Sequence, residues 1–452
     1  MAETSTKKHL SVTVYYLLIA MGMGWPALMA TGRLLSLWKT GNTLSPLSLA
    51  AIHTLVLGSM MTIAFGVLYQ IVPIAFQAPP VARHVLFWHL PIHLLSVILM
   101  VIGFLHSRFL WVGIGGSMLL IAAGVYFAFV LQSFRKARNK TPVHRSLTIP
   151  FVSLLLVILV GIFQAFVPQD VTQSVVMTHV LLGGLAFWGG LVLVLSYKLF
   201  PMFIISHGYK ASLVRTASLY FSGVALWLVK EWLPSQAWTP LDMAVTILIL
   251  YGLISFVVDM IAVVRARKRK RIVLPLYDAM VATAAIVIAQ VWILALLWLH
   301  DTRSIVYAVY LFAFGGLIPL MFAYMQKIVP FLWFEYRFSK RPERKTAPLI
   351  DDMVPKRPAQ TGFIIYYIGV LLGLTYLIFA PSRVRPHAAG AGSSAAAGAG
   401  AGSAVSTAGL TMTPTYLSWL SAACLTIGSF VLFLALQHVL TIGGKRPNDD
   451  AA

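Results

Sequence analysis

Twelve runs of apolar residues, each long enough to cross a bilayer, divide this chain: 10–32, 46–76, 85–107, 110–133, 147–168, 173–202, 211–232, 240–264, 274–299, 304–333, 361–380 and 414–441. A helix of about 20 apolar residues spans the hydrocarbon core, and a spanning helix satisfies its own backbone hydrogen bonds there. With 59% hydrophobic residues, only 10% charged ones and a mean hydropathy of +0.85, the chain lies well outside the composition of soluble domains. The expected fold is all-α, a polytopic membrane protein of twelve transmembrane helices.

Three of the runs repeat one pattern. His53 leads through Gly58 and Gly66 to Pro73. His179 leads through Gly183, Gly184, Gly189 and Gly190 to Pro201, and Tyr310 leads through Gly315 and Gly316 to Pro330. Gln70, Lys198 and Lys327 each stand three residues before the proline. The pattern predicts three pseudo-symmetric four-helix units, about 1–134, 145–271 and 272–441, with a period longer than that of the common solenoids.

Positive residues are retained on the cytoplasmic side of a membrane protein. With both termini inside, 27 of the 34 Lys and Arg fall in cytoplasmic segments. The remaining seven are Arg33, Lys39, Arg108, Lys230, Arg303, Arg383 and Arg385. The net charge of +21 is therefore read as a topology signal in a bacterial inner membrane, and the Arg265–Arg271 run is not assigned to nucleic acid. Cys424 is the one cysteine, so neither a disulfide framework nor a CxxCH site for covalent haem exists. Lys7 and Lys8 precede the first run without a cleavage pattern after it, which predicts an uncleaved first span. Residues 335–359 read as a charged cytoplasmic loop, 382–413 as an outer Ala/Gly-rich linker, and 442–452 as a cytoplasmic tail.

A side chain that can ionise or bind metal is costly inside a span unless it has a partner. His53 and His179 occupy equivalent positions at the outer start of their helices. Two neutral imidazoles at one depth meet the needs of a six-coordinate haem iron. The alternative is a hydrogen bond from each to a backbone carbonyl. The glycines after them leave a flat face for a porphyrin, or serve tight helix packing. Arg33, Arg108 and Arg303 are outer cations that suit haem propionates or lipid headgroups. His89 and His93 are four apart on one helix face and are candidates for copper, a second haem or a proton route. Gln70, Lys198 and Lys327 are expected to snorkel at the inner face. Asp259 is expected to snorkel or to pair with Arg265.

Twelve helices in three arcs, cytoplasmic termini and a histidine at the outer start of the second helix resemble the catalytic subunit of the haem-copper oxidases and nitric oxide reductases. The segment from His53 through Leu68-Tyr69-Gln70-Ile71-Val72-Pro73 is similar to the helix II signature of the nitric oxide reductase and cbb3-type branch. The resemblance implies axial ligation of a b-type haem by His53. That family carries copper on histidines of helices VI and VII and uses helix X histidines for its haems. In this chain helix VI offers His179, run 211–232 has no histidine, and helix X has Tyr310 where a ligand would be sought. The oxygen-reducing centre is therefore expected to be absent or rebuilt, with His300 or His179 as the second partner of His53. The chain is also similar to the haem- and copper-containing membrane proteins of the bacterial nitric oxide response, which share a His-x-x-x-x-Gly second helix.

These readings lead to a divergent b-haem protein of the inner membrane, an oxidoreductase candidate. It would transfer electrons or bind or reduce a diatomic gas, nitric oxide or oxygen. Its expected partners are membrane lipid and a small electron donor or additional membrane subunit. Two competing readings remain open. One is a cofactor-free transporter with His89, His93, Lys198 and Lys327 along a proton or metal path; the other is a haem or copper assembly factor.

Overall fold

The computed structural model describes residues 2–137, 141–234, 238–268, 272–299, 301, 304–338, 347–381 and 413–442. Among them there is no strand, only a lone bridge between Ser206 and Arg267. The helices are α1 (Ala2–Met29), α2 (Thr31–Lys39), α3 (46–76), α4 (Arg83–Leu105), α5 (Phe109–Lys136), α6 (Pro142–Phe166) and α7 (173–204). They continue as α8 (Leu213–Lys230), α9 (Trp238–Arg265), α10 (Leu274–Trp298), α11 (305–338), α12 (Lys356–Phe379) and α13 (Thr413–Thr441).

Eleven of these helices are long and apolar enough to cross a membrane. The exceptions are the short α2 and α8, the helix that matches run 211–232. α8 carries Arg215 near one end and Lys230 at the other, with hydroxyl residues between, and its Thr216, Tyr220 and Trp227 are buried. Its main partner is α9. Local signals start several helices. Ser45 accepts a hydrogen bond from the Ser48 amide ahead of Pro46, and Thr172 does the same for Val175. His144 forms a capping box with Thr141 at the start of α6.

Neighbouring helices pack in succession, α3 on α4, α4 on α5, α5 on α6 and α6 on α7, then α8 on α9, α10 on α11 and α12 on α13. α13 returns to α1 and α2. Lys39 at the end of α2 donates to the Leu377 carbonyl of α12, 2.6 Å away.

α3, α7 and α11 share an unusual feature. Each begins as an α-helix, passes through a π-helical stretch (Thr54–Met61, Leu181–Gly189 and Leu311–Leu317), and returns to α-geometry. The π-winding bonds each residue to the one five further on. The residue four or five after His53, His179 or Tyr310 is thereby brought back beneath it, and the fifth is Gly58, Gly184 and Gly315 in turn. The three helices then meet: Ile71, Leu199 and Ile328, each two residues before its proline, lie in one buried cluster with Leu332. Val67, Leu195 and Tyr324, one turn earlier, pack against it.

Two polar expectations are corrected. Asp259 neither snorkels nor pairs with Arg265. Its carboxylate receives Arg215 Nη2 at 3.0 Å, the Tyr197 hydroxyl at 2.7 Å and the Ser212 amide at 2.9 Å, which ties α8 to α7 and α9. Lys327 does not snorkel either; it pairs with Asp351 and is only 11% exposed. A buried cation in this position is held by a carboxylate from the segment before α12. Gln70 donates to the Thr13 hydroxyl at 3.0 Å.

Candidate functional site

His53 ends the first α-helical piece of α3, and His179 lies two residues before the π stretch of α7. Their rings stand 6.3 Å apart, centroid to centroid, with planes tilted by 36°. The Nδ1–H of His53 donates to the Leu49 carbonyl at 2.7 Å. That bond fixes the tautomer and leaves Nε2 with its lone pair. Phe104, near the end of α4, packs on the same ring at 4.6 Å. Nδ1 of His179 is buried and makes no hydrogen bond. Gly161 of α6 makes room for His179: a Cβ there would stand 3.0 Å from Cε1.

The glycine face is less flat than the sequence suggests. Gly66 is covered by Tyr16, Gly190 by Phe221 and Gly316 by Ile286, all within 2.6 Å of where a Cβ would be. Those glycines serve helix packing. Open space remains beside Gly184, where a Cβ would meet nothing within 4 Å, and beside Gly183, where it would meet only Val157 at 3.3 Å. Both follow His179 by one turn.

His89 and His93 form a second, fully enclosed pair on α4, 3% and 0% exposed. Their rings are 6.2 Å apart and nearly parallel, at 4°. Nε2–H of His93 donates to the Leu57 carbonyl at 3.1 Å and to the Thr62 hydroxyl at 3.0 Å. Tyr16 lies 3.0 Å from both the Leu86 carbonyl and His89 Nδ1. A phenol has one proton; given to Leu86, it leaves the oxygen to accept from His89 Nδ1–H. The other nitrogens, Nε2 of His89 and Nδ1 of His93, are buried and bare. Phe65, Tyr69 and Tyr126 enclose the pair, and the Tyr69 and Tyr126 hydroxyls are buried without partners.

Among the other expected residues, Arg33 and Arg108 are exposed. Arg108 follows Phe104 by four residues, at the end of the bundle where His53 lies. His300 and Arg303 lie outside the described residues. Tyr310, in the place of a third histidine, is buried and stacks on Phe314 at 4.8 Å. Among the described residues no group of three or more His, Cys, Asp or Glu stands together as a metal cage. Tyr16, Tyr126 and Gly161 had not been singled out from the sequence. A tyrosine in mid-span, whose hydroxyl is costly to bury there, is the available signal for the first two.

Comparison of the sequence with models of known protein families and with characterised proteins gives no match.

Proposed function

We propose that this chain is a membrane haem protein in which His53 and His179 hold one b-type haem iron between them. The observation that carries the reading is the 6.3 Å spacing of the two rings. Ring centres about 6 Å apart are close enough for each imidazole to offer a nitrogen to one metal ion, and the residues that would hold it are His53 and His179. The donor set suits the group. His53 is oriented by Leu49 as a ligand histidine is oriented by an outer carbonyl, His179 keeps a bare buried nitrogen, and Gly183 and Gly184, one turn further along α7, leave space beside the helix. When bound, the haem would supply one-electron redox chemistry, or diatomic gas binding if one ligand is displaced. The protein's own part is to fix both imidazoles and to surround them with apolar side chains. Arg108, near the same end, would be the cation for a propionate.

In this reading α3, α7 and α11 are the equivalent helices of three four-helix units, twelve spans in all, with α8 as the twelfth. Their shared π stretches and their meeting at Ile71, Leu199 and Ile328 support that arrangement. The distribution of cations supports cytoplasmic termini in a bacterial inner membrane.

A specific observation favours a copper ion at His89 and His93. Each ring spends one nitrogen on an outward hydrogen bond and leaves the other bare, the arrangement of a metal-ligating histidine. Two imidazoles without a third ligand match a two-coordinate Cu(I) ion better than four-coordinate zinc.

Haem content tests the first reading. Pyridine haemochrome analysis of protein expressed with ample haem should give about one b-type haem per chain, falling in His53→Ala and His179→Ala and retained in His89→Ala. A transporter would be colourless in all four.

A further inference from the structure

A groove of about 230 Å³ lies between the first turns of α10 and α12. Asp278 and Tyr277 line it from α10; Gln360, Phe363, Ile364 and Tyr367 line it from α12. The Asp278 side chain is the unusual member. The residue is only 6% exposed, and its Oδ2 makes no hydrogen bond. The Tyr367 hydroxyl, also buried, has no partner. Among the described residues no Lys, Arg or His lines the groove, although the chain carries a net charge of +21.

A carboxylate withdrawn from water calls for a cation, and the described residues place none at the groove. It supplies aromatic rings instead. Phe363 and Tyr367 stand one turn apart on α12, their centroids 6.3 Å apart and their planes at 24°, and Tyr277 faces them from α10. Aromatic faces beside a carboxylate form the usual recognition set for an ammonium group. The same set disfavours an anionic headgroup, which would meet Asp278 with no compensating cation.

The position of the groove names the source of the ammonium. Tyr277 is 58% and Ile364 53% exposed, on the apolar flanks of two spanning helices. Asp278 and Gln360 each lie four residues, about 6 Å, from the start of their helices, so the mouth of the groove opens near the boundary between acyl chains and headgroups. We propose that the groove binds an ethanolamine phospholipid, with Asp278 as counter-ion to the ammonium, the three rings as its walls, and the acyl chains along Ile364. The assignment needs the membrane setting and is independent of the haem reading.

Native mass spectrometry of the full chain in detergent tests it, with dioleoyl phosphatidylethanolamine, dioleoyl phosphatidylglycerol and free ethanolamine as probes. The ethanolamine lipid should be retained about tenfold more tightly than the glycerol lipid. The preference should vanish in Asp278→Asn and survive in Asp278→Glu. N-acetylated phosphatidylethanolamine, which lacks the ammonium, removes the charge from the other side and requires no variant; it should bind the native chain no better than the glycerol lipid. Equal retention of the two lipids, an unchanged preference in Asp278→Asn, or full retention of the N-acetylated lipid would overturn the proposal. Competition by free ethanolamine at the lipid's own concentration would overturn the assignment to a lipid. Because the readout is lipid retention, it stands whether or not the chain carries haem.

Discussion

Nε2 of His93 lies 3.1 Å from the carbonyl oxygen of Leu57, inside the π-helical stretch of α3. A π stretch departs from the regular α-helical hydrogen-bond ladder, which lets a carbonyl turn toward a neighbouring helix. The contact therefore joins α4 to the π-wound part of α3. Replacing His93 by Leu, of similar volume, removes the ring donor and leaves the Leu57 oxygen only the Thr62 hydroxyl, 3.4 Å away, as a side-chain partner, at a cost of about 1–3 kcal/mol. Thermal unfolding in detergent should show the loss. Thr62→Val should cost less, because the Thr62 hydroxyl proton goes to Gly58 within its own helix.

If the same pair holds Cu(I), the native chain should retain close to one copper per molecule against a moderate Cu(I) chelator. His89→Ala and His93→Ala should each lose it, since neither ring alone offers a competitive site. Metal analysis after chelator treatment reads this directly, and the haem content of the same samples should not change.

Lys230 and Asp242 form an ion pair of 2.5 Å at the junction of α8 and α9, with side chains 4% and 7% exposed. Lys230→Met leaves a buried carboxylate alone and should cost about 3–5 kcal/mol. The double variant Lys230→Met, Asp242→Leu should recover most of that. A double-mutant cycle of unfolding midpoints checks the coupling.

Two glycines should respond in opposite ways to a small side chain. At Gly428 a Cβ would stand 2.6 Å from the Tyr366 amide nitrogen and 2.8 Å from the Gly362 carbonyl oxygen. Backbone cannot give way there, so Gly428→Ala should push α12 and α13 apart and destabilise by about 1–3 kcal/mol. Gly184 faces open space, and Gly184→Ala should leave stability unchanged. Gly184→Phe would fill the gap beside His179 and should lower haem content with little loss of helix content by circular dichroism.

The membrane helices were legible because apolar length is a direct consequence of bilayer thickness. Run 211–232 shows the limit of that signal, since α8 lies where expected but carries Arg215, Thr216 and Lys230, which its neighbours hold. The His-x-x-x-x-Gly spacing at His53 and His179 carried more than it seemed to. It is the spacing that a π turn brings onto one face, yet nothing in the residue types distinguishes that turn from an α turn. The 6.3 Å approach of His53 and His179 was expected only as similar depth. Helix rotation and crossing decide the rest, and the residues that lie against the two rings, Gly161 and Phe104, read in the sequence as ordinary span residues. Asp259 and Lys327 found partners, Arg215 and Asp351, far away in the chain, which local charge patterning does not reveal.

Optical and electron paramagnetic resonance spectra of the purified, oxidised chain test the central claim most directly, recorded together with His53→Ala and His179→Ala. The account predicts one low-spin b-type haem per chain, lost or turned high-spin in either variant and unaffected by His89→Ala. A colourless native protein after expression with ample haem, or a low-spin haem that survives both substitutions, would contradict it.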